Sequence, residues 1–294
     1  MKNKLIGNVY LIIAVLIWGS TFIAQSVGMD SIGPFTFLAV RCFLAVAFLL
    51  PVIALFEWKE RKHYFRKWKD KKLWIAGFFC GLSLFVASAL QQISLVDTDA
   101  GKAGFLTSLY VVLVPVIGLF LGKKPTGNMV ISILLAVAGL YLLSCTGLTA
   151  IRPSDLLLLG SALSFAVQIT LVERLGKDLD GLRLNTIQCL VAGLLASVFM
   201  VFVEEPTVAA VLSCYIPLLY AGILSNGIAY SMQVLGQQYV ESNTASIIMS
   251  MEGVVAAVCG WLILQEQMTS WELLGCGLVL TAVILSQIPL KRKK

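Results

Sequence analysis

Ten apolar stretches divide this chain, and they constrain its fold more than any other feature of the sequence. A helix of about 20 mostly apolar residues crosses the hydrocarbon core of a bilayer, and each stretch is long enough to do so. The stretches lie at residues 5–26, 34–56, 73–94, 100–121, 128–146, 155–173, 184–203, 214–235, 243–264 and 272–289. The sequence therefore predicts an all-α integral membrane protein with ten transmembrane helices.

The composition leaves no room for a soluble domain. Of the 294 residues, 59% are hydrophobic and only 13% are charged, whereas soluble domains carry about 25% charged residues. The cysteines form no Cys-x-x-Cys pair or Cys/His cluster, and His63 is the single histidine. Metal sites and disulfide frameworks need more ligands than this, so we expect no metal and no cofactor.

Lysine and arginine are distributed very unevenly along the chain. If the N-terminus is cytoplasmic, nearly all of the 22 basic residues fall on cytoplasmic segments, above all on the loop at residues 57–72 and the C-terminal tail. This bias predicts a multi-pass protein of the plasma membrane with both termini in the cytoplasm. The net charge of +6 is then explained by contact with the bilayer, and no base-reading module indicates nucleic acid as a partner.

The two halves of the chain resemble each other. Residues 32–48 align with residues 179–195 at a shift of 147, and residues 111–126 align with residues 254–269 at a shift of 143. Internal similarity of this kind between equal numbers of apolar stretches indicates a duplicated unit.

We expect the first unit to span residues 5–146 and the second to span residues 155–289, with five helices each. An odd number of membrane crossings forces the two units into opposite orientations. Inverted repeats are a transporter architecture, and the substrate site lies near the bilayer midplane where the two repeats meet.

Several motifs support a more specific interpretation. They are WGSTF at residues 18–22, the Arg41-xxx-Ala45 pattern, TDAGKAGFLTSLYVVLVPVIGLFLGKKPT at 98–126 and QQYVESNTASIIMSMEGVVAAVCGWLILQEQMT at 237–269. With these motifs, nearly the whole chain resembles the drug/metabolite transporter superfamily, EamA type, with ten spans in two EamA repeats. The resemblance implies export or import of small metabolites, amino acids among them, and no enzymatic activity.

The sequence departs from the family pattern at two places. Family chains commonly carry Glu-Pro-Val where this chain has Glu252-Gly253-Val254. They also commonly end the fourth span in Gly-Glu-Arg-Leu-Thr, whereas residues 122–126 are GKKPT and lack the acid. The resemblance is therefore specific for the fold and for transport, and weak for the substrate.

One acidic residue stands out within the apolar stretches. Glu252 has about nine apolar or small residues on each side, which places it near the bilayer midplane. An ionised carboxylate there is costly unless it faces water, a cation or hydrogen-bond donors, or stays protonated. We therefore expect Glu252 to mark the functional site. The alternative is an acid in the first turn of a locally broken helix, held by backbone N–H groups.

Polar residues in several stretches are expected to surround Glu252. Asn226, Tyr230 and Gln233 recur at helical spacing and share one face of the eighth stretch, and Thr21 and Gln168 occupy equivalent positions in the two units. Hydrogen bonding between packed helices is the alternative explanation for such side chains. The expected cavity lining is Trp18, Thr21, Gln25, Ser88, Gln91, Gln92, Tyr110, Gln168, Asn226, Tyr230, Gln233 and Glu252.

Arg41 and Lys102 are the cations within the stretches, both in the outer half of the membrane. Lys102 is close enough to the surface for its ammonium group to reach water. For Arg41 two roles remain open: it could bind a substrate carboxylate, or it could pair with an acid such as Asp97.

These features predict a secondary transporter that works by alternating access, with amino acids or related zwitterionic or neutral solutes as the first candidates. Protons are one candidate for a coupling ion. A transporter of another solute class, such as a drug, nucleoside or sugar derivative, is the alternative. A membrane-embedded enzyme is much less favoured, because no nucleophile, base or metal set lies near the interface.

Overall fold

The computed structural model describes residues 2–57, 66–98, 100–123, 126–144, 152–263 and 269–288. Within these ranges the chain forms helices joined by short turns. The long helical units are α1 (Lys2–Met29), α2 (Pro34–Phe56), α3 (Lys71–Ser94), α4 in two halves (Ala100–Ser108 and Tyr110–Phe120), α5 (Gly127–Ser144), α6 (Pro153–Gly176), α7 (Gly181–Val203), α8 (Tyr215–Gln237), α9 in two halves (Ser242–Met249 and Glu252–Ile263) and α10 (Ser270–Gln287). A short helix at Val208–Ser213 precedes α8.

Among the described residues, nine of these units are long and apolar enough to cross a membrane, and α5 is a shorter apolar helix. Large apolar side chains cover the outer surface: Phe56 is 79% exposed, Phe120 is 88% exposed and Phe202 is 83% exposed. Soluble proteins rarely expose so much contiguous apolar surface, whereas lipid solvates it. The predicted all-α membrane fold with ten helices is confirmed.

Side chains at the helix starts explain where several helices begin. Asp70 and Asp180 precede α3 and α7, and each accepts a hydrogen bond from a backbone N–H group in the first turn. Thr269 and Glu272 exchange hydrogen bonds at the start of α10, which forms a capping box. These contacts satisfy N–H groups that have no partner inside the helix.

The helix pairing matches that of two related units. The contacts between the halves pair α1 with α8 and α9, α2 with α7 and α8, α3 with α6 and α7, α4 with α6 and α9, and α5 with α10, and α5 also contacts α9. If α1 to α5 are exchanged with α6 to α10, each of these pairs except α5–α9 becomes a pair of the same set. This pattern supports a two-fold relation between the halves, and the proposed limits at residues 5–146 and 155–289 remain a prediction.

A glutamate follows each of α2 and α7 and binds the first turn of the other helix. Glu204, after α7, accepts hydrogen bonds from the backbone N–H groups of Phe35 and Thr36, both at 2.8 Å. Glu57, after α2, pairs with Arg183 in the first turn of α7 at 2.5 Å. Glu57 and Glu204 are equivalent at the shift of 147, as are Thr36 and Arg183, so related contacts hold both ends of the α2–α7 pair.

The Glu57 contact should make stability depend on pH. The hydrogen bond from Arg183 lowers the pKa of the Glu57 carboxyl to about 2, with a further contribution from Lys67, whereas the unfolded chain has a pKa of about 4.3 there. The contact therefore stabilises the fold fully above about pH 4.3, and this stabilisation is lost as the pH falls toward about 2.

We predict that Glu57→Gln lowers the free energy of unfolding at neutral pH by about 1 kcal/mol, the scale of an ion pair that water screens. The difference from wild type should shrink as the pH is lowered toward about 3, because the Glu57 carboxyl of the unfolded wild-type chain then takes up a proton and the folded one does not, which favours unfolding. Thermal unfolding in detergent across this pH range measures it. A difference that stays constant with pH would contradict the proposed role of the Glu57 charge.

Candidate functional site

A cavity lies where α1, α2, α3, α4, α6, α8 and α9 meet. Its volume is about 40 Å³, and because one water needs roughly 10–15 Å³ of such space, the cavity has room for about three waters. A solute of the size of an amino acid needs a wider cavity than this conformation provides.

Most of the predicted lining residues border this cavity. Those brought together here are Trp18, Thr21, Gln25, Gln91, Tyr110, Gln168, Tyr230, Gln233 and Glu252. The cavity is also bordered by residues outside the predicted lining, namely Phe22, Arg41, Thr107, Phe165, Ile169, Ser225 and Met249. The lining thus combines neutral amides, hydroxyls and aromatic rings with one acid and one cation.

Glu252 lies at a break in α9. The first half of α9 ends at Met249 and the second half begins at Glu252, so the carboxyl group lies at the N-terminus of a half-helix. The side chain is 6% exposed. Its Oε1 accepts hydrogen bonds from the hydroxyls of Tyr110, at 2.9 Å, and Ser108, at 3.2 Å.

The structure contains features of both interpretations of Glu252. As the alternative interpretation expects, α9 is interrupted, and Glu252 lies in the first turn of its second half. The side-chain partners, however, are two hydroxyls of α4 rather than backbone N–H groups of α9, and the carboxylate borders the cavity.

The hydroxyl donors themselves flank a break in α4. Its two halves separate at Leu109, between Ser108 and Tyr110. At the shift of 143, Leu109 corresponds to Glu252, so the interruptions of the two repeats lie within two residues of each other in the alignment. Broken helices that meet at the membrane midplane are a common way for transporters to build a substrate site.

Trp18 and Tyr230 pack against each other within the lining. Their ring centroids are 4.8 Å apart and the ring planes are inclined by 60°. The indole N–H of Trp18 is buried without a hydrogen-bond partner. The Trp18 ring therefore contributes to helix packing, and its N–H group remains available as a donor at the cavity.

A chain of side-chain amides extends from the cavity into the helix bundle. Gln233 donates to Gln168 at 3.0 Å, Gln168 donates to Gln188 at 3.2 Å, and Gln188 donates to Asn185 at 2.8 Å. Asn185 donates in turn to the Asn226 carbonyl of α8 at 2.9 Å. The sequence analysis did not predict Asn185 and Gln188 as site residues. They are polar residues three positions apart in an apolar stretch, which is the helical spacing that drew attention to the polar residues of α8.

Asn226 does not line the cavity, because α8 is not a regular α-helix. Residues Tyr220–Ala229 form a π-helix, which has more residues per turn than an α-helix and rotates the preceding residues relative to Tyr230. Ser225 borders the cavity instead. Asn226 faces α2, where its amide donates to the Cys42 sulfur at 3.3 Å.

Ser88 and Gln92 are also buried away from the cavity. Neighbouring residues of an α-helix point in directions about 100° apart, so Gln91 and Gln92 cannot both face the same space. Gln91 borders the cavity and donates to Thr107 at 3.3 Å. Gln92 is fully buried, as is Ser88 one turn before it.

The family model of the EamA-like transporter family matches the chain twice, at residues 5–145 and 152–287. The chain belongs to this family.

Two named transporters and one protein of known structure are similar to this chain over most of its length. An uncharacterized transporter of Archaeoglobus fulgidus is 31% identical over 96% of this chain and 86% of its own. The threonine/homoserine exporter RhtA of Escherichia coli K12 is 27% identical over 78% of each chain. A protein of known crystal structure superposes with a TM-score of 0.79 at 18% identity and covers 96% of both chains, which shows a shared fold.

The two cations within the spans of this EamA-like transporter have different surroundings. The ammonium of Lys102 pairs with Asp155 at 2.8 Å, and neither borders the cavity. Arg41 borders the cavity and donates to the Gln25 side-chain oxygen at 2.5 Å. Asp97 is exposed and forms no ion pair with Arg41, so that proposed pairing is wrong.

Because of the π-helix in α8, we predict that Ser225 and Asn226 differ in their accessibility from the cavity. In a background without the native cysteines, Ser225→Cys should react with a small polar thiol reagent, because it borders the cavity. Asn226→Cys should react at least about tenfold more slowly, since α2 and α7 cover it. If the two cysteines react at equal rates, or if the one at position 226 reacts faster, the π-helical register is wrong. Asn226 would then face the cavity, as it does in a regular α-helix.

Proposed function

We propose that this EamA-like transporter moves small zwitterionic or neutral metabolites, with amino acids as the first candidates, across the plasma membrane by alternating access. The observation that carries the proposal is the meeting of two interrupted helices at Glu252 inside a cavity lined by amides and hydroxyls. Such a lining offers many hydrogen bonds and little net charge, which suits a solute of the same character.

The narrow cavity supports alternating access. Its present volume accommodates a few waters, so a bound solute requires α4 and α9, or the helices packed against them, to move apart. Interruptions in the middle of α4 and α9 allow their halves to tilt separately. A phosphate-bearing solute fits less well, because phosphate recognition needs several cations and one cation borders the cavity.

The similarity to RhtA supports amino acids as candidates. That protein is described as a threonine/homoserine exporter, and threonine carries one ammonium, one carboxylate and a hydroxyl. We therefore take threonine as the first solute to test and leave the direction of transport to the measurement.

Glu252 provides the direct test of the proposed site. If it carries the coupling proton, Glu252→Gln should abolish transport driven by a pH gradient in vesicles and leave solute exchange intact, since the amide cannot titrate. If Glu252 binds a substrate ammonium instead, the same change should weaken solute binding about tenfold or more. Glu241→Gln, at an exposed acid just before α9, is the control.

A variant Glu252→Gln with the wild-type rate and pH profile would show that Glu252 is structural. Transport of no amino acid by the wild-type protein would overturn the proposed substrate class while leaving the family assignment unchanged.

The proposed orientation is tested separately. The Lys and Arg distribution supports cytoplasmic termini, so a cysteine at position 205 should react with an impermeant thiol reagent added to intact cells, and one at position 65 should not. Both cysteines are placed in a background without native thiols. The reverse pattern would mean that the protein is inserted the other way round.

A further inference from the structure

Arg41 is buried in the membrane-spanning part of the protein without a counter-ion. It is 3% exposed, and within the described part of the chain no carboxylate lies within ion-pair distance of it. Four other described cations each have an acidic partner: Lys67 and Arg183 with Glu57 and Asp180, Lys102 with Asp155, and Lys123 with Glu173. Arg41 therefore differs from all of them.

The described contacts of the Arg41 guanidinium are the Gln25 amide and the Phe37 ring, whose centroid is 5.8 Å from the guanidinium carbon. A buried guanidinium with such neutral partners is costly, because burial removes its water and returns little charge stabilisation. Charged groups in such places are retained mainly where function uses them. The Gln25 oxygen contacts one terminal nitrogen of Arg41, and the buried Nε has no hydrogen-bond partner. The guanidinium is thus held at one corner, and hydrogen-bonding capacity remains on its other side.

The side of the Arg41 guanidinium that includes Nε has the geometry that carboxylates prefer. Nε and a terminal nitrogen of a guanidinium form a planar fork that donates two parallel hydrogen bonds to one carboxylate. Arg41 borders the same cavity as Glu252. The cavity therefore contains one cation and one acid, and the described contacts pair neither of them with an opposite charge of the protein.

We propose that Arg41 binds the carboxylate of the transported solute and that Gln25 is a positioning residue that orients the guanidinium. The inference rests on the proposed function and narrows its substrate class to solutes with a free carboxylate. Glu252, the acid of the same cavity, fits the ammonium group of such a solute. Amino alcohols and amino amides, which lack the carboxylate, are then poor ligands.

The test compares L-threonine with L-threoninol, in which an alcohol replaces the carboxylate. Binding of each to the purified full-length protein is measured by calorimetry. Wild type should bind threonine at least about tenfold more tightly than threoninol, because a site built for a hydrogen-bonding group rejects the analogue that lacks it. Arg41→Gln should weaken threonine binding about tenfold, leave threoninol binding nearly unchanged, and so remove the preference.

Lys102→Gln is the matched control, since it also removes a cation from a span but one that pairs with Asp155 outside the cavity. It should keep the preference for threonine. Gln25→Ala should reduce the preference without removing the cation, an effect that general destabilisation does not produce. If Arg41→Gln does not fold, Gln25→Ala decides the test, and an unchanged preference there overturns the inference.

Other outcomes of these binding measurements distinguish failure of the Arg41 role from failure of the proposed substrate class. Equal binding of threonine and threoninol by wild type overturns the role of Arg41 and leaves amino-compound transport standing. Equal weakening of both ligands in Arg41→Gln also overturns it, because the residue then acts on the fold. If wild type binds neither these ligands nor any other amino acid, the proposed substrate class fails and the carboxylate site fails with it.

Discussion

The contact between Glu252 and the hydroxyls of Ser108 and Tyr110 is the interaction on which this structure depends most. A carboxylate buried among membrane-spanning helices needs hydrogen-bond donors, and the side chains of Ser108 and Tyr110 supply them to Glu252. The two hydroxyls flank the interruption of α4, and the carboxylate lies at the start of the second half of α9. Glu252 and Tyr110 both border the cavity, so this contact forms part of its lining.

The rest of the fold positions these two breaks. The α2–α7 pair is held at one end by Glu204 and at the other by Glu57. The α4–α6 contact is held by Lys102 with Asp155 and by Lys123 with Glu173. Ion pairs and caps therefore lie toward the helix ends, where water lowers their cost, and the middle of the bundle keeps amides and hydroxyls that can exchange partners when the cavity widens.

The sequence was sufficient to predict the parts of this protein that depend on hydropathy and on repetition. Ten spans and the central place of Glu252 follow from the lengths of apolar stretches. Residue orientation inside the bundle was harder, because it depends on helix register: the π-helix moves Asn226 away from the cavity and brings Ser225 to it. The missing counter-ion of Arg41 was also unpredictable, since it depends on distances between helices that are remote in sequence.

The measurement that tests the central claim most directly is an infrared difference spectrum of the carboxyl region, recorded as the solute binds. If Glu252 takes part in binding, its carboxyl band should change on addition of solute, disappear in Glu252→Gln, and shift in Tyr110→Phe, which removes one of its two hydroxyl donors. A wild-type spectrum in which solute binding leaves the Glu252 band unchanged would contradict the claim that the two interrupted helices form the transport site.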